Sequence, residues 1–207
     1  MTTIFFVRHG KINRLGDDVD PSLTEAGIAE AKATAAWLAD QPIEQVYASP
    51  LARARETAAI IAAPHELPVF QDDRLRERAN FGDLPGQTVE EFIAMWERCN
   101  VERTWVPPVG DSSAGCGKRV EAFVADVHAR WPQSAVVAAC HGGTIADFLL
   151  NVFTLNEITA VNPALAAAPY SGDVMRECSM TVVDFDGAAY SLRKAASIDH
   201  LPSAALA

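Results

Sequence analysis

The sequence predicts an α/β protein: a three-layer α/β/α sandwich around a mainly parallel sheet, with an antiparallel edge near the C-terminus. Three observations carry this expectation. Short apolar runs alternate with amphipathic segments of helical period, the pattern of βαβ units. The run Ile4-Phe5-Phe6-Val7 is apolar at every position, as in strands covered on both faces. Two strand-like runs flank Asp186-Gly187, a hairpin signal that pairs them antiparallel.

The elements follow in chain order. After the first strand, residues 24–40 read as a helix, with Ile28, Ala31, Ala35 and Leu38 at helical spacing behind a Ser22/Thr24 cap. Val46-Tyr47-Ala48 is a short strand, and residues 51–63 form a helix that Pro64 ends. The polar stretch 71–87 is irregular. Residues 88–99 return to helix with Val89, Phe92, Ile93 and Trp96 on one face. Residues 100–117, with Pro107-Pro108 and several glycines, read as a loop. Val120, Phe123, Val124, Val127 and Trp131 mark a helix stopped by Pro132. Residues 134–140 form an apolar strand, followed by a helix through Ile145, Phe148, Leu149 and Val152. Strands at 180–185 and 188–193 close the chain. Residues 71–117 read as a cap-like, partly helical insertion over one edge of the sheet, within a single domain spanning 1–207.

Composition narrows the function classes. A chain of 207 residues, 49% hydrophobic and 21% charged, can bury a full core without staples. Its 17 basic and 27 acidic residues give a net charge of −10, which argues against nucleic acid and anionic membranes as partners. No stretch reaches the ~18 apolar residues of a membrane-spanning helix. Arg8 follows the N-terminal apolar run too closely for a signal peptide. A cytoplasmic location is the expectation. Cys99, Cys116, Cys140 and Cys178 are widely spaced and form no C-x-x-C pair, so they read as reduced, buried small residues.

Polar residues of one kind gather where the strands end. The first strand runs into Arg8-His9-Gly10. The second runs into Ser49-Pro50, with Arg53 in the first turn of the next helix. The third runs into His141-Gly142-Gly143-Thr144. Carboxyl ends of parallel strands share one side of the sheet, and ligands bind there. Two histidines, two arginines and two helix N-termini converging on one point suit an anion. Glycine after each histidine admits a ligand close to the backbone. The cluster has the makings of a phosphate site, although each residue taken alone has an ordinary structural reading.

Taken in order, the motifs resemble those of the histidine phosphatase superfamily, the phosphoglycerate-mutase-like proteins. Val7-Arg8-His9-Gly10 is similar to the opening R-H-G, and Asp20-Pro21-Ser22-Leu23-Thr24-Glu25-Ala26-Gly27 to D-x-x-L-T-x-x-G. Ser49-Pro50-Leu51-Ala52-Arg53-Ala54-Arg55-Glu56-Thr57-Ala58 resembles S-x-L-x-R-A-x-x-T-A. Leu75-Arg76-Glu77 with Gly82 and Gly86, Gly110-Asp111-Ser112, and Cys140-His141-Gly142-Gly143-Thr144 match the remaining segments. The chain departs from the pattern at Ile12, where the family commonly has Thr or Ser, at Leu15, where Asn is common, and in one extra residue between Glu77 and Phe81-Gly82.

The resemblance implies a phosphoryl-transfer site under the insertion. His9 would be the nucleophile, while Arg8, Arg53, His141 and the Gly142 turn would hold the phosphoryl oxygens. Glu77 would be the acid and base, with Asp83 as a reserve, and Lys11 or Asn13 would stand in for the group missing at Ile12. The scheme needs no metal or other cofactor. Asp17, Asp18 and Asp20 lack the spacing of a calcium loop, and neither a P-loop nor a serine-hydrolase elbow is present. His65, His128 and His200 read as surface or packing residues. The substrate expected is a small phosphomonoester. Arg98 and Arg103 are the only basic residues between Ala79 and Gly117, too few for the acidic substrates of the family's mutases. Glu90, Glu91, Phe92, Trp96, Glu97 and Trp105 would edge a pocket for a neutral or partly apolar leaving group. A mutase and a non-catalytic phospholigand-binding domain remain open alternatives, as does the oligomeric state.

Overall fold

The computed structural model describes residues 1–13 and 20–202; Leu15, Asp17 and Asp18 lie outside them. Strands β1 (Thr2–Arg8), β2 (Ile43–Ala48), β3 (Val69–Gln71), β4 (Ala135–Cys140), β5 (Met180–Phe185) and β6 (Tyr190–Ser197) form one sheet in the order β3-β2-β4-β1-β5-β6. Pairings β3–β2, β2–β4 and β4–β1 are parallel, whereas β5 runs against both β1 and β6. The α-helices are α1 (Glu25–Leu38), α2 (Ala52–Ala62), α3 (Val89–Val101), α4 (Ser113–Arg130), α5 (Gly142–Val152), α6 (Leu155–Val161) and α7 (Pro163–Ala167), and single 3₁₀ turns lie at Ala63–His65 and Asp73–Leu75.

Alternation along β1 builds the layers. Ile4 and Phe6 face one way and join Phe123 and Val124 of α4 and Ile145 and Phe148 of α5. Phe5 and Val7 face the other way, against Ala35 and Leu38 of α1 and Ala58 and Ile61 of α2. Helices therefore cover both faces, as the apolar first strand predicts. Each large side chain so buried contributes about 1.5–3 kcal/mol. The cysteines are free and buried. No helix among the described residues is long and apolar enough to cross a membrane.

Several expectations need correction. Ile28 is 37% exposed, while Gly27, Glu30 and Thr34 join the buried side of α1. Helix α1 is rotated because Gly27 packs on the backbone of Lys11, whose N–H donates to Glu30 Oε2. Strand β3 lies in a stretch without strand signal, since three residues are too few to show a period. The loop at 100–117 is shorter than expected. Helix α3 continues to Val101, and Ser112 caps α4 by accepting from Gly115 N–H, so Gly115 and Gly117 are helical. Helices α6 and α7 lie in the unassigned stretch 153–179. Their caps at Thr154 and Asn162 were readable, but their lengths hide any amphipathic repeat. Trp131 caps α4 from outside its buried stripe. In the hairpin Asp186 N–H donates to Ala189 O at 3.3 Å, so the two-residue turn is Gly187-Ala188, one residue later than expected. Gly187 holds φ 101°, which glycine tolerates best.

A Cβ on Gly117 would lie 2.5 Å from the Asn151 side chain and 2.6 Å from Asp147 O, at the contact between α4 and α5. Gly117→Ala is expected to lower stability by about 1–3 kcal/mol through overpacking. The measurement is the urea midpoint at unchanged m; an unmoved midpoint contradicts this account of the helix contact.

Candidate active site

Sheet pairing assembles the site. Arg8 ends β1 in register with Cys140 at the end of β4, and His9 N–H donates to Cys140 O at 2.9 Å. His9 and His141 therefore emerge side by side, ring centroids 5.3 Å apart and 61° between planes. On the other side of β4, Ser49 N–H donates to Ala139 O, and Ser49 Oγ lies 2.8 Å from His141 Nε2. Ser49, His141 and His9 thus stand in the spatial order of β2, β4 and β1.

The tautomer of His9 follows from its partner. Nδ1 lies 2.8 Å from Gly10 O, and a carbonyl only accepts, so Nδ1 carries the proton. In the neutral ring Nε2 is then the lone-pair nitrogen. Gly10 is required here: a Cβ would meet Gly27 O at 2.5 Å. Its N–H donates to Thr57 Oγ1 of α2 at 3.0 Å, which fixes the turn on both sides.

His141 is buried, and burial pushes its pKa well below the usual imidazole value, with Arg53, His9, Arg119 and Arg8 adding repulsion. It is therefore held neutral. Its Nδ1 has no hydrogen-bond partner among the described residues. With Ser49 O–H donating to Nε2, Nδ1 is free to present an N–H to an oxyanion.

Each cation is held by an acceptor. Arg8 donates to Met175 O through Nη1 and to Glu177 Oε1 at 2.7 Å through Nη2. Arg53 donates to Asn80 Oδ1 at 2.8 Å and lies 3.6 Å from Asp20 Oδ1. Asp20 also accepts from Ala52 N–H at the start of α2.

Glu77 sits at the N-terminus of α5. It accepts from Arg78 N–H at 2.9 Å, Thr144 O–H at 3.1 Å and Gly143 N–H at 3.2 Å. These donors fix the position of the Glu77 carboxyl group at the start of α5. A Cβ at 143 would lie 2.7 Å from Glu77 Oε1, so a larger residue there would have to displace the Glu77 carboxyl group.

Arg8, His9, Arg53, Glu77 and Gly142 together line a cavity of about 560 Å³. Ile12 also lines it, whereas Lys11 and Asn13 do not. Asp83 stands outside the lining and accepts from Asn80 N–H at 2.7 Å; His141, buried behind His9 and Ser49, is outside the lining as well. Of the residues expected to edge the pocket, Phe92, Trp96 and Glu97 do so; Glu90, Glu91 and Trp105 do not. Glu91 closes a capping box with Thr88, and Trp105 stacks on Arg98. The apolar face of α3 is not buried: Val89 and Ile93 are exposed, and the helix buries Met95 and Cys99. Among the described residues no group of three or more His, Cys, Asp or Glu is placed to hold a metal.

Sequence reasoning missed Arg78, which is 1% exposed behind Glu77. It pairs with Asp147 at 3.2 Å, donates to Asn100 Oδ1 at 2.6 Å and lies 3.9 Å over the Trp96 ring. Asp147 accepts from Ser113 and Tyr170 hydroxyls at 2.5 and 2.7 Å. Burial pushes its pKa up to about 6 against the pull of Arg78. A lone acid in the apolar helix Ile145-Ala146-Asp147-Phe148 was the available signal.

Comparison with known proteins places these features in a family. The profile of the histidine phosphatase superfamily (branch 1) matches residues 4–196. The chain is 32% identical over 152 residues to phosphoserine phosphatase 1 of Hydrogenobacter thermophilus, covering 67% of this chain and 71% of that protein. It is 32% identical over 181 residues to a 2,3-bisphosphoglycerate-dependent phosphoglycerate mutase of Rhizobium etli, covering 78% and 85%. The solved structure of a mycobacterial glucosyl-3-phosphoglycerate phosphatase with inorganic phosphate superposes with a TM-score of 0.72 at 27% identity, over 97% of this chain and 99% of that one.

Asp147 binds its proton more tightly in the folded protein than in the unfolded chain. Its stabilising contribution is complete below the ordinary carboxyl value and is lost as pH rises through about 6. Asp147→Asn should therefore flatten the unfolding free energy between about pH 4 and 7 in urea titrations. Equal slopes for the two proteins would remove Asp147 from the proton balance.

Proposed function

The chain belongs to the histidine phosphatase superfamily, and from that membership and the geometry of the site we propose that it is a metal-independent phosphomonoesterase acting through a phosphohistidine on His9. The observation that carries this reading is the bond from His9 Nδ1 to Gly10 O, which leaves Nε2 as the lone-pair nitrogen of a ring lining the cavity.

In the first step the Nε2 lone pair forms a bond to phosphorus as the bond from phosphorus to the leaving oxygen breaks. Protonated Glu77 gives its proton to that oxygen, and the alcohol departs. Arg8, Arg53, His141 Nδ1–H and the backbone at Gly142 receive the non-bridging oxygens, whose charge they stabilise in transit. In the second step Glu77, now ionised, takes a proton from water. The water oxygen attacks phosphorus, the N–P bond breaks, and inorganic phosphate leaves with Nε2 restored.

A mutase must also hold an acidic product between two transfers. Arg98 pairs with Glu102, and Arg103 donates to Leu150 O, Asp147 O and Asn151 Oδ1, so neither cation between Ala79 and Gly117 lines the cavity. Hydrolysis is the reading that arrangement supports. The substrate is a small phosphomonoester, and the net charge of −10 steers away polyanions.

Phosphate release from 4-nitrophenyl phosphate in excess EDTA should persist and disappear in His9→Ala. In Glu77→Gln, an alkyl ester should lose about 10²–10⁴-fold in kcat. The nitrophenyl ester, whose leaving group needs no acid, should still give a burst followed by slow turnover. EDTA-sensitive turnover that survives His9→Ala overturns the mechanism. Faster interconversion of phosphoglycerates than phosphate release returns the mutase reading, and phosphate binding without turnover returns the non-catalytic one.

A further inference from the structure

The cavity that holds His9 and Glu77 also has an aromatic wall. Phe81 and Phe92 meet edge to face with centroids 5.8 Å apart, and Phe92 and Trp96 lie at 5.9 Å and 35°. All three rings line the cavity, joined by Ile93, Tyr170 and Met175. Phe81 is 41% and Ile93 49% exposed, so the wall leaves apolar surface in water at the mouth, where a ligand can cover it.

Charge limits what that ligand carries. Among the described residues lining the cavity, Arg8 and Arg53 are the only Lys or Arg, and both belong to the phosphoryl end. The other charged lining residues are Glu77 and Glu97, so a carboxylate or second phosphate on the leaving group would meet acidic groups only.

A cationic leaving group is opposed by a different feature. Arg78 already lies 3.9 Å over the Trp96 ring and 5.2 Å over Tyr170, locked there by Asp147 and Asn100. A second cation stacked on Trp96 would share the ring with that guanidinium, whose charge opposes it and cancels much of the cation–π attraction. Glu97 is exposed, so water and salt weaken its pull on a cation. A neutral ring suffers neither penalty, and the fixed guanidinium keeps Trp96 ready for stacking.

Resting on the phosphatase reading above, we propose that the preferred substrate is the phosphomonoester of an uncharged, ring-bearing alcohol whose ring packs on Phe92 and Trp96. Binding of phosphonates, which keep the anionic head and cannot be hydrolysed, tests this on the full chain by calorimetry. Benzylphosphonate should bind at least about tenfold more tightly than 2-carboxyethylphosphonate or 2-aminoethylphosphonate. Phe92→Ala should erase that advantage and leave the two charged ligands unchanged. Ile93→Arg, a change at an exposed position, should instead tighten 2-carboxyethylphosphonate about tenfold. Equal or tighter binding of either charged phosphonate by the unaltered protein overturns the proposal. So does absence of benzylphosphonate binding, or an advantage that survives Phe92→Ala. Failure of the phosphatase reading looks different: no ester releases phosphate, whatever the order of the phosphonates.

Discussion

Arg8 stands beside Cys140 because β1 and β4 pair in parallel, and that register sets His9 next to His141 just past the strand ends. Both strands are buried on two faces, so a slip of one residue would send Phe5 and Val7 into the layer built for Ile4 and Phe6. The core thus protects the register, and the register places the histidines. Ser49 joins them because β2 pairs with β4 on the far side. The glycine contact between residues 10 and 27 then fixes the turn that carries the Nδ1 acceptor of His9.

Buried positive charge is the difficulty such a site must solve without a ligand. Three arginines lie at or behind the cavity, and each meets a carboxylate: Arg8 with Glu177, Arg53 with Asp20, Arg78 with Asp147. The pairing holds the guanidinium groups at fixed positions, so little reorganisation is needed when a phosphoryl group arrives. The cost is strict dependence on the acids, because removing one partner of a buried pair leaves a charge uncompensated. Neutral His141 fits the same logic: surrounded by cations, it offers an N–H without adding charge.

What could be read from the sequence was local. Apolar runs ending in Arg8-His9-Gly10 and Cys140-His141-Gly142 locate strands, and parallel topology gathers their ends on one side. The charged run 72–78 could not be parsed that way. Glu77 and Arg78 look alike in it, yet one lines the cavity and the other is buried beneath it. That difference depends on α5, more than sixty residues away, which supplies Gly143, Thr144 and Asp147 as their partners. The apolar face of α3 was legible as a face, but a helical period does not say whether the face meets protein or an open cavity. Strand β3 and helices α6 and α7 are too short for periodicity to register them.

The proposed chemistry runs through one nitrogen, His9 Nε2. Protein mixed with excess phosphomonoester and quenched in base within a single turnover should carry phosphate on His9, bonded at Nε2 and identified by phosphorus NMR of the isolated peptide. Phosphate on Nδ1, on another residue or on none during steady turnover would contradict the account, because the bond from Nδ1 to Gly10 O leaves Nε2 alone to attack.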